Sequence, residues 1–148
     1  MNEDKLNRLP PDVKKQFIKL ASKLSEKKQK TKVHDDFLSF VKHCWPEFIE
    51  GAHHKKIAEK FNDIANKKIK RLIINMPPRH TKSEFASFLL PAWMVGRRPN
   101  LKIIQSTHTT ELAIRFGRKA KTLMDSQEYK EVFDTRLRED SQAAGKWE

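Results

Sequence analysis

The sequence predicts an α/β fold: a short parallel sheet flanked by helices, behind a basic helical N-terminal segment. Three observations predict it. The runs Arg71-Leu72-Ile73-Ile74-Asn75 and Leu101-Lys102-Ile103-Ile104-Gln105-Ser106 are short, apolar and β-branched, as buried strands are. A helical pattern lies between them, and parallel strands need such a crossover. The first run leads through a cation-rich loop, Met76-Pro77-Pro78-Arg79-His80-Thr81-Lys82-Ser83, straight into that helix.

Taken in order, Pro10-Pro11-Asp12 opens a helix. Val13, Phe17, Leu20 and Leu24 then recur at spacings of 4, 3 and 4, one helical face, with Lys14, Lys15, Lys19, Lys23 and Lys27 off it. This basic amphipathic helix spans about residues 11–28, and residues 29–34, without periodicity, read as a linker. A second helix opens near Asp35, buries Phe37, Phe40, Val41 and Cys44, and stops at Trp45-Pro46. A third runs from about Ala52 to Asn66, with Ile57, Phe61, Ile64 and Ala65 on one side. After the first strand and its loop, a helix begins around Lys82, and Pro91 kinks or ends it by removing a backbone donor. Arg97-Arg98-Pro99-Asn100 turns the chain into the second strand. Thr109 or Thr110 caps a helix carrying Leu112, Phe116, Ala120 and Leu123, and a short helix spans Glu128 to Phe133. Domain boundaries follow: 1–34 is a basic helical segment with linker, and 35–148 is the α/β part.

Composition bounds the function. The 148 residues carry 31 Lys and Arg against 19 Asp and Glu, a formal charge of +12, so nucleic acid or nucleotide phosphate is the expected class of partner. Residues 1–32 hold ten of the cations and four acids, half of the excess charge. Simple solubility is the alternative reading of that charge. No apolar run approaches the ~20 residues of a membrane span, so no membrane partner is expected. A single cysteine, Cys44, excludes an internal disulfide and fits a reducing compartment.

The loop carries the chemistry. A strand, a cationic loop and a helix start place backbone N–H groups and a helix N-terminus toward an anion. Aligned on Lys82-Ser83, the pattern G-x-x-x-x-G-K-[ST] finds Met76 and Thr81 where its glycines stand. Lys82 would reach the β/γ-phosphates of ATP, Ser83 would join a Mg²⁺ shell, and Arg79 would add a bidentate contact to the γ-phosphate. Thr81 counts against this, because a side chain there crowds phosphate or resists the backbone angles. The plainer reading is a solvated basic turn for Arg79 and Lys82, an N-cap for Ser83 and a first-turn acid for Glu84.

The run from Ile73 through PPRHTKSE, PAWMVGRRP, LKIIQST and ELAIRFGRKAK to EYKEVF resembles the ATPase domain of phage terminase large subunits, the DNA-packaging motors of tailed phages. The tail LREDSQAAGKW also resembles that family's continuation. The resemblance covers about residues 35–148, and Thr81 departs from the family's commoner glycine. It implies an incomplete P-loop NTPase-like parallel sheet, ATP and Mg²⁺ as cofactors, and translocation of double-stranded DNA into a procapsid. The portal protein and the small terminase subunit would be partners, and the host cytoplasm the location. Pro78, Arg79, His80, Thr81, Lys82 and Ser83 carry over as the phosphate loop, with Arg79 and Lys82 catalytic and Ser83 on the metal. His53 and His54 fall in the family's nucleotide-base region, where a polar helix start is the alternative. Ser106, Thr107 and His108 follow the second strand, where the family couples nucleotide state to DNA; a capping turn is the alternative. Arg115 and Arg118 share one helix face and are candidates for DNA phosphate, or for plain solvation.

An ATPase of this class also needs an apolar strand ending in paired acids. None is present: Val132-Phe133-Asp134 is too short, and Asp140 has no apolar run before it. The nuclease carboxylates are absent as well. The expectation is an N-terminal portion of such a domain, from a split gene product, a truncated frame or an incomplete record, inactive alone and aggregation-prone unless a second polypeptide completes it. Three competing readings are another P-loop machine such as a helicase or kinase, a non-catalytic DNA-binding or interaction module built on the basic N-terminal helix, and a remnant without activity.

Overall fold

The computed structural model describes residues 10–136, and every regular element among them is a helix. The chain divides into two compact units after Thr31. Helix α1, Pro11–Asp35, runs past that division, so the linker expected at 29–34 is helical. No Gly or Pro interrupts the chain between Asp12 and Asp36, and Lys, Gln and Glu are good helix formers. In the second unit the last turn of α1 is anchored. Val33 is buried there, and the Trp93 indole donates to the His34 carbonyl at 3.0 Å.

Helix α2, Phe37–Cys44, starts on Asp36, whose carboxylate accepts from the Ser39 N–H at 2.8 Å. Burial works against the ionised form of Asp36. Hydrogen bonds from Ser39 and Asn62 and the charge of Lys32 outweigh it and hold the carboxyl below its ordinary value. Asn62 also accepts from the Phe37 N–H at 2.9 Å, which fixes α2 against helix α3, Ala52–Ala65.

Helix α4 covers 82–97 in three consecutive stretches: Lys82–Glu84, a π-helical turn Phe85–Leu89, and Leu90–Arg97. The expected break at Pro91 is instead this widened turn just upstream. Pro91 has no N–H to give and its ring crowds the carbonyl four residues back. In the widened turn Leu90 bonds to the Phe85 carbonyl, five residues away. Helix α5, Thr110–Asp125, is capped by the Thr109 hydroxyl, and α6, Gln127–Val132, by Ser126.

The second unit is held by aromatic packing between helices. Phe37 meets Phe61, Phe85 and Trp93 edge-on at 5.1, 5.4 and 5.4 Å, and Phe40 meets Tyr129 and Phe133 at 6.2 and 5.8 Å. These rings, with Leu89, Ala92 and Met124, form the core.

The expected α/β fold with a parallel sheet is therefore corrected: among the described residues there is no strand and no sheet. Residues 71–77 keep a strand-like alternation, since Leu72, Ile74 and Met76 pack against the core while Ile73 is 86% exposed. Around 101–106 even that is lost, and Ile104 is 97% exposed. A strand is stable only with a partner edge, and among the described residues neither run has one. The aromatic faces of α2 to α6 satisfy each other, so the β-branched runs are left as coverings of a helical core.

Candidate functional site

The loop joining residue 76 to α4 is shaped by two left-handed residues, Arg79 with φ 64° and Thr81 with φ 57°. For a β-branched residue such a backbone is costly, about 1–2 kcal/mol. His54 holds Thr81 in place. Gly51, the residue before α3, donates its N–H to His54 Nδ1 at 2.9 Å, which leaves the ring hydrogen on Nε2 to donate to the Thr81 hydroxyl. Phe48 and Phe85 pack on the same imidazole at 4.8 and 5.1 Å. Burial lowers the His54 pKa below its ordinary 6.5. The neighbouring His53 and His80 lower it further, and Glu50 opposes them.

The rest of the loop is open. Pro78, Arg79, His80 and Ser83 are exposed, and His80 Nδ1 donates to the Pro78 carbonyl at 2.8 Å. Lys82 folds back to donate to the Met76 carbonyl at 3.1 Å, so the ammonium lies over the loop. The His53 ring lies 5.7 Å from His80, and its buried Nε2 has no hydrogen-bond partner among the described residues. The loop residues and the pair His53 and His54 are thus one cluster, with His54 as its internal brace. Adjacent on the helix, the two histidines do different things: one props the loop and the other faces His80.

The other candidates lie apart. Thr107 donates to the Thr109 carbonyl at 2.7 Å and belongs to the turn before α5, with Ser106 and His108 exposed beside it. Among the described residues no hydrogen bond or ring contact ties these three to the loop. Arg115 and Arg118 are exposed on α5 and line an open cleft of about 1040 Å³, along with Lys119, Phe88 and Cys44. Burial, aided by the charge of Glu128, pushes the Cys44 thiol up to about 12, which leaves it protonated and unreactive at neutral pH.

One connection was not legible in the sequence. Lys119 of α5 donates to both carboxylate oxygens of Glu84, at 2.9 and 2.8 Å, and lies 5.2 Å from the centre of the Phe88 ring. The helix start that carries Lys82 and Ser83 is thereby clamped to the helix that carries Arg115 and Arg118. Glu84 offered only the signal of a first-turn acid, and its partner is 35 residues away.

As a metal site the loop is sparse. Among the described residues no group of three or more His, Cys, Asp or Glu side chains is placed to hold a metal ion. Glu84 is engaged by Lys119, which leaves the exposed Ser83 hydroxyl as the donor at the helix start. That fits Mg²⁺ held chiefly by phosphate oxygens and water. Among the described residues no helix is long and apolar enough to cross a membrane. The tail from Leu137 onward, with Asp140, lies outside the described residues, as does the N-terminus before Pro10. No protein-family profile, curated protein or solved structure matches this chain.

Proposed function

We propose that the chain binds ATP on loop 78–83 and serves as the ATP-binding part of a phage DNA-packaging motor, acting on double-stranded DNA in the cytoplasm of an infected bacterium. The observation that carries the nucleotide part is the backbone at Thr81. The phosphate-loop pattern places glycine immediately before its lysine, and glycine is the residue that enters left-handed backbone freely. Thr81 takes that backbone against its own preference, at φ 57° and ψ 7°, braced by His54. The motor part rests on the order of motifs from Ile73 to Phe133.

In this reading Lys82 exchanges the Met76 carbonyl for the β- and γ-phosphates, and the exposed Arg79 forks onto the γ-phosphate. Mg²⁺, when bound, supplies charge neutralisation between phosphates, with Ser83 as its protein contact. The helix N-terminus at Lys82 adds partial positive charge toward the same anion. The chain holds no apolar segment ending in paired acids, so it binds without sustained turnover.

The test is titration of the full chain with a fluorescent ATP analogue and Mg²⁺. Lys82→Ala is expected to weaken binding by at least about tenfold, the scale of one lost charge-assisted contact. Equal affinity in Lys82→Ala would sink the nucleotide reading. The motor reading fails separately if duplex DNA affinity is the same with and without ATP.

A further inference from the structure

Helix α1 carries an apolar stripe on its first four turns. Within 11–31, Val13, Phe17, Leu20 and Leu24 are 45%, 37%, 58% and 52% exposed. At 100° per residue these four directions fall within about 60° of one another, the width of a coiled-coil seam, while Ile18, 52% exposed, stands by itself about 130° from the centre of the stripe. With Phe17 and Leu24 at a, and Val13 and Leu20 at d, the charged flanking e and g positions are Lys14, Lys23, Lys28 and Lys30. The acids Asp12 and Glu26 both fall at c, away from the seam.

That arrangement selects a partner by charge. Two copies of this helix would set lysine against lysine in either orientation, since every charged e or g position is basic. Duplex DNA would neutralise the lysines and leave Phe17, Leu20 and Leu24 in water. We propose that residues 13–30 are a docking seam for an acidic amphipathic helix of another polypeptide, apolar at a and d, with Glu or Asp at e and g. The seam turns polar at Lys27, so the apolar contact spans about two heptads. Binding therefore depends on the flanking charge pairs as much as on the stripe.

The probe is a fluorescein-labelled synthetic helix of about three heptads with Leu at a and d and Glu at e and g, titrated with the full chain by anisotropy. Saturable binding is expected, weakened at least about tenfold when NaCl rises from about 0.05 to about 0.5 M. Leu20→Asp should weaken it by about tenfold or more, and Lys23→Glu with Lys28→Glu should abolish it. The lysine variants leave the apolar stripe intact, so they report on docking even if Leu20→Asp loosens the helix. The proposal is overturned if a probe with Ser at a and d binds equally, or if the lysine variants bind the acidic probe as well as the native chain does. It is also overturned if the chain alone sediments as a dimer that Leu20→Asp dissolves, or if anionic phosphatidylglycerol vesicles or duplex DNA are bound in a Leu20-dependent way while the probe is not.

Discussion

A single imidazole decides how the loop stands. His54 accepts at Nδ1 and donates at Nε2, which only the neutral ring can do. Protonation places a hydrogen on Nδ1, against the Gly51 N–H, and next to His53 and His80. The folded-state pKa lies below 6.5 while the unfolded chain keeps the ordinary value. Stability from this group is therefore complete above about pH 6.5 and is lost as pH falls from there through the folded value. Urea midpoints measured between pH 8 and pH 5 are expected to fall over that window. His54→Gln, which keeps an amide donor without a titration, should flatten the fall. A profile unchanged by the substitution would remove His54 from this role.

Among the elements, α4 is packed closely against α6 and the segment after it at Gly96. Gly96 lies where an added Cβ would meet the Phe133 ring at 2.6 Å and the Tyr129 hydroxyl at 2.7 Å. That hydroxyl is committed, donating to the Ala92 carbonyl at 2.9 Å. Gly96→Ala gains helix propensity but forces two buried rings apart. We expect a net loss of about 1–3 kcal/mol in chemical denaturation. A neutral or stabilising result would show that α6 and the segment after it yield easily. Most helices were legible in the sequence because their causes are local. The start expected near Asp35 falls one residue on, at the cap Asp36, Thr109 caps α5, the stops at Trp45 and Asn66 fall within a residue or two, and the apolar spacing of α5 gives Phe116 and Ala120 as buried. The π turn was not legible, because Pro91 announces a disturbance without saying whether the helix ends, kinks or widens.

For the molecule as a whole, what could not be read was pairing. The run at 71–75 and the run at 101–106 have strand composition, but a sheet is a relation between segments far apart, and composition is silent on it. The helical core is closed by Phe37, Phe61, Phe85 and Trp93; Ile74 packs against it, while Ile73 at 86% and Ile104 at 97% exposure remain outside. The candidate site could be read from the sequence as a set of residues, without the contacts that join them. Lys82, Ser83 and Arg79 were marked by their motif, whereas the brace from His54 and the Glu84–Lys119 clamp join residues 27 and 35 positions apart. Unpaired β-branched segments invite edge association. Replacing Ile73 and Ile104 together by Lys should lower light scattering of concentrated protein and change stability by no more than about 0.5 kcal/mol each. A large loss of stability would mean that these side chains are packed after all.

The widened turn at Phe85–Leu89 is, in bookkeeping terms, one residue more than an α-helix needs to cover the same rise. A related chain with an unbroken α-helix here would have one residue fewer between Glu84 and Leu90. It would still present Trp93 to the core and Glu84 to Lys119 from the same sides. When such a chain is aligned with this one, the gap belongs inside 85–89, and the loop from Met76 to Thr81 should be matched without one.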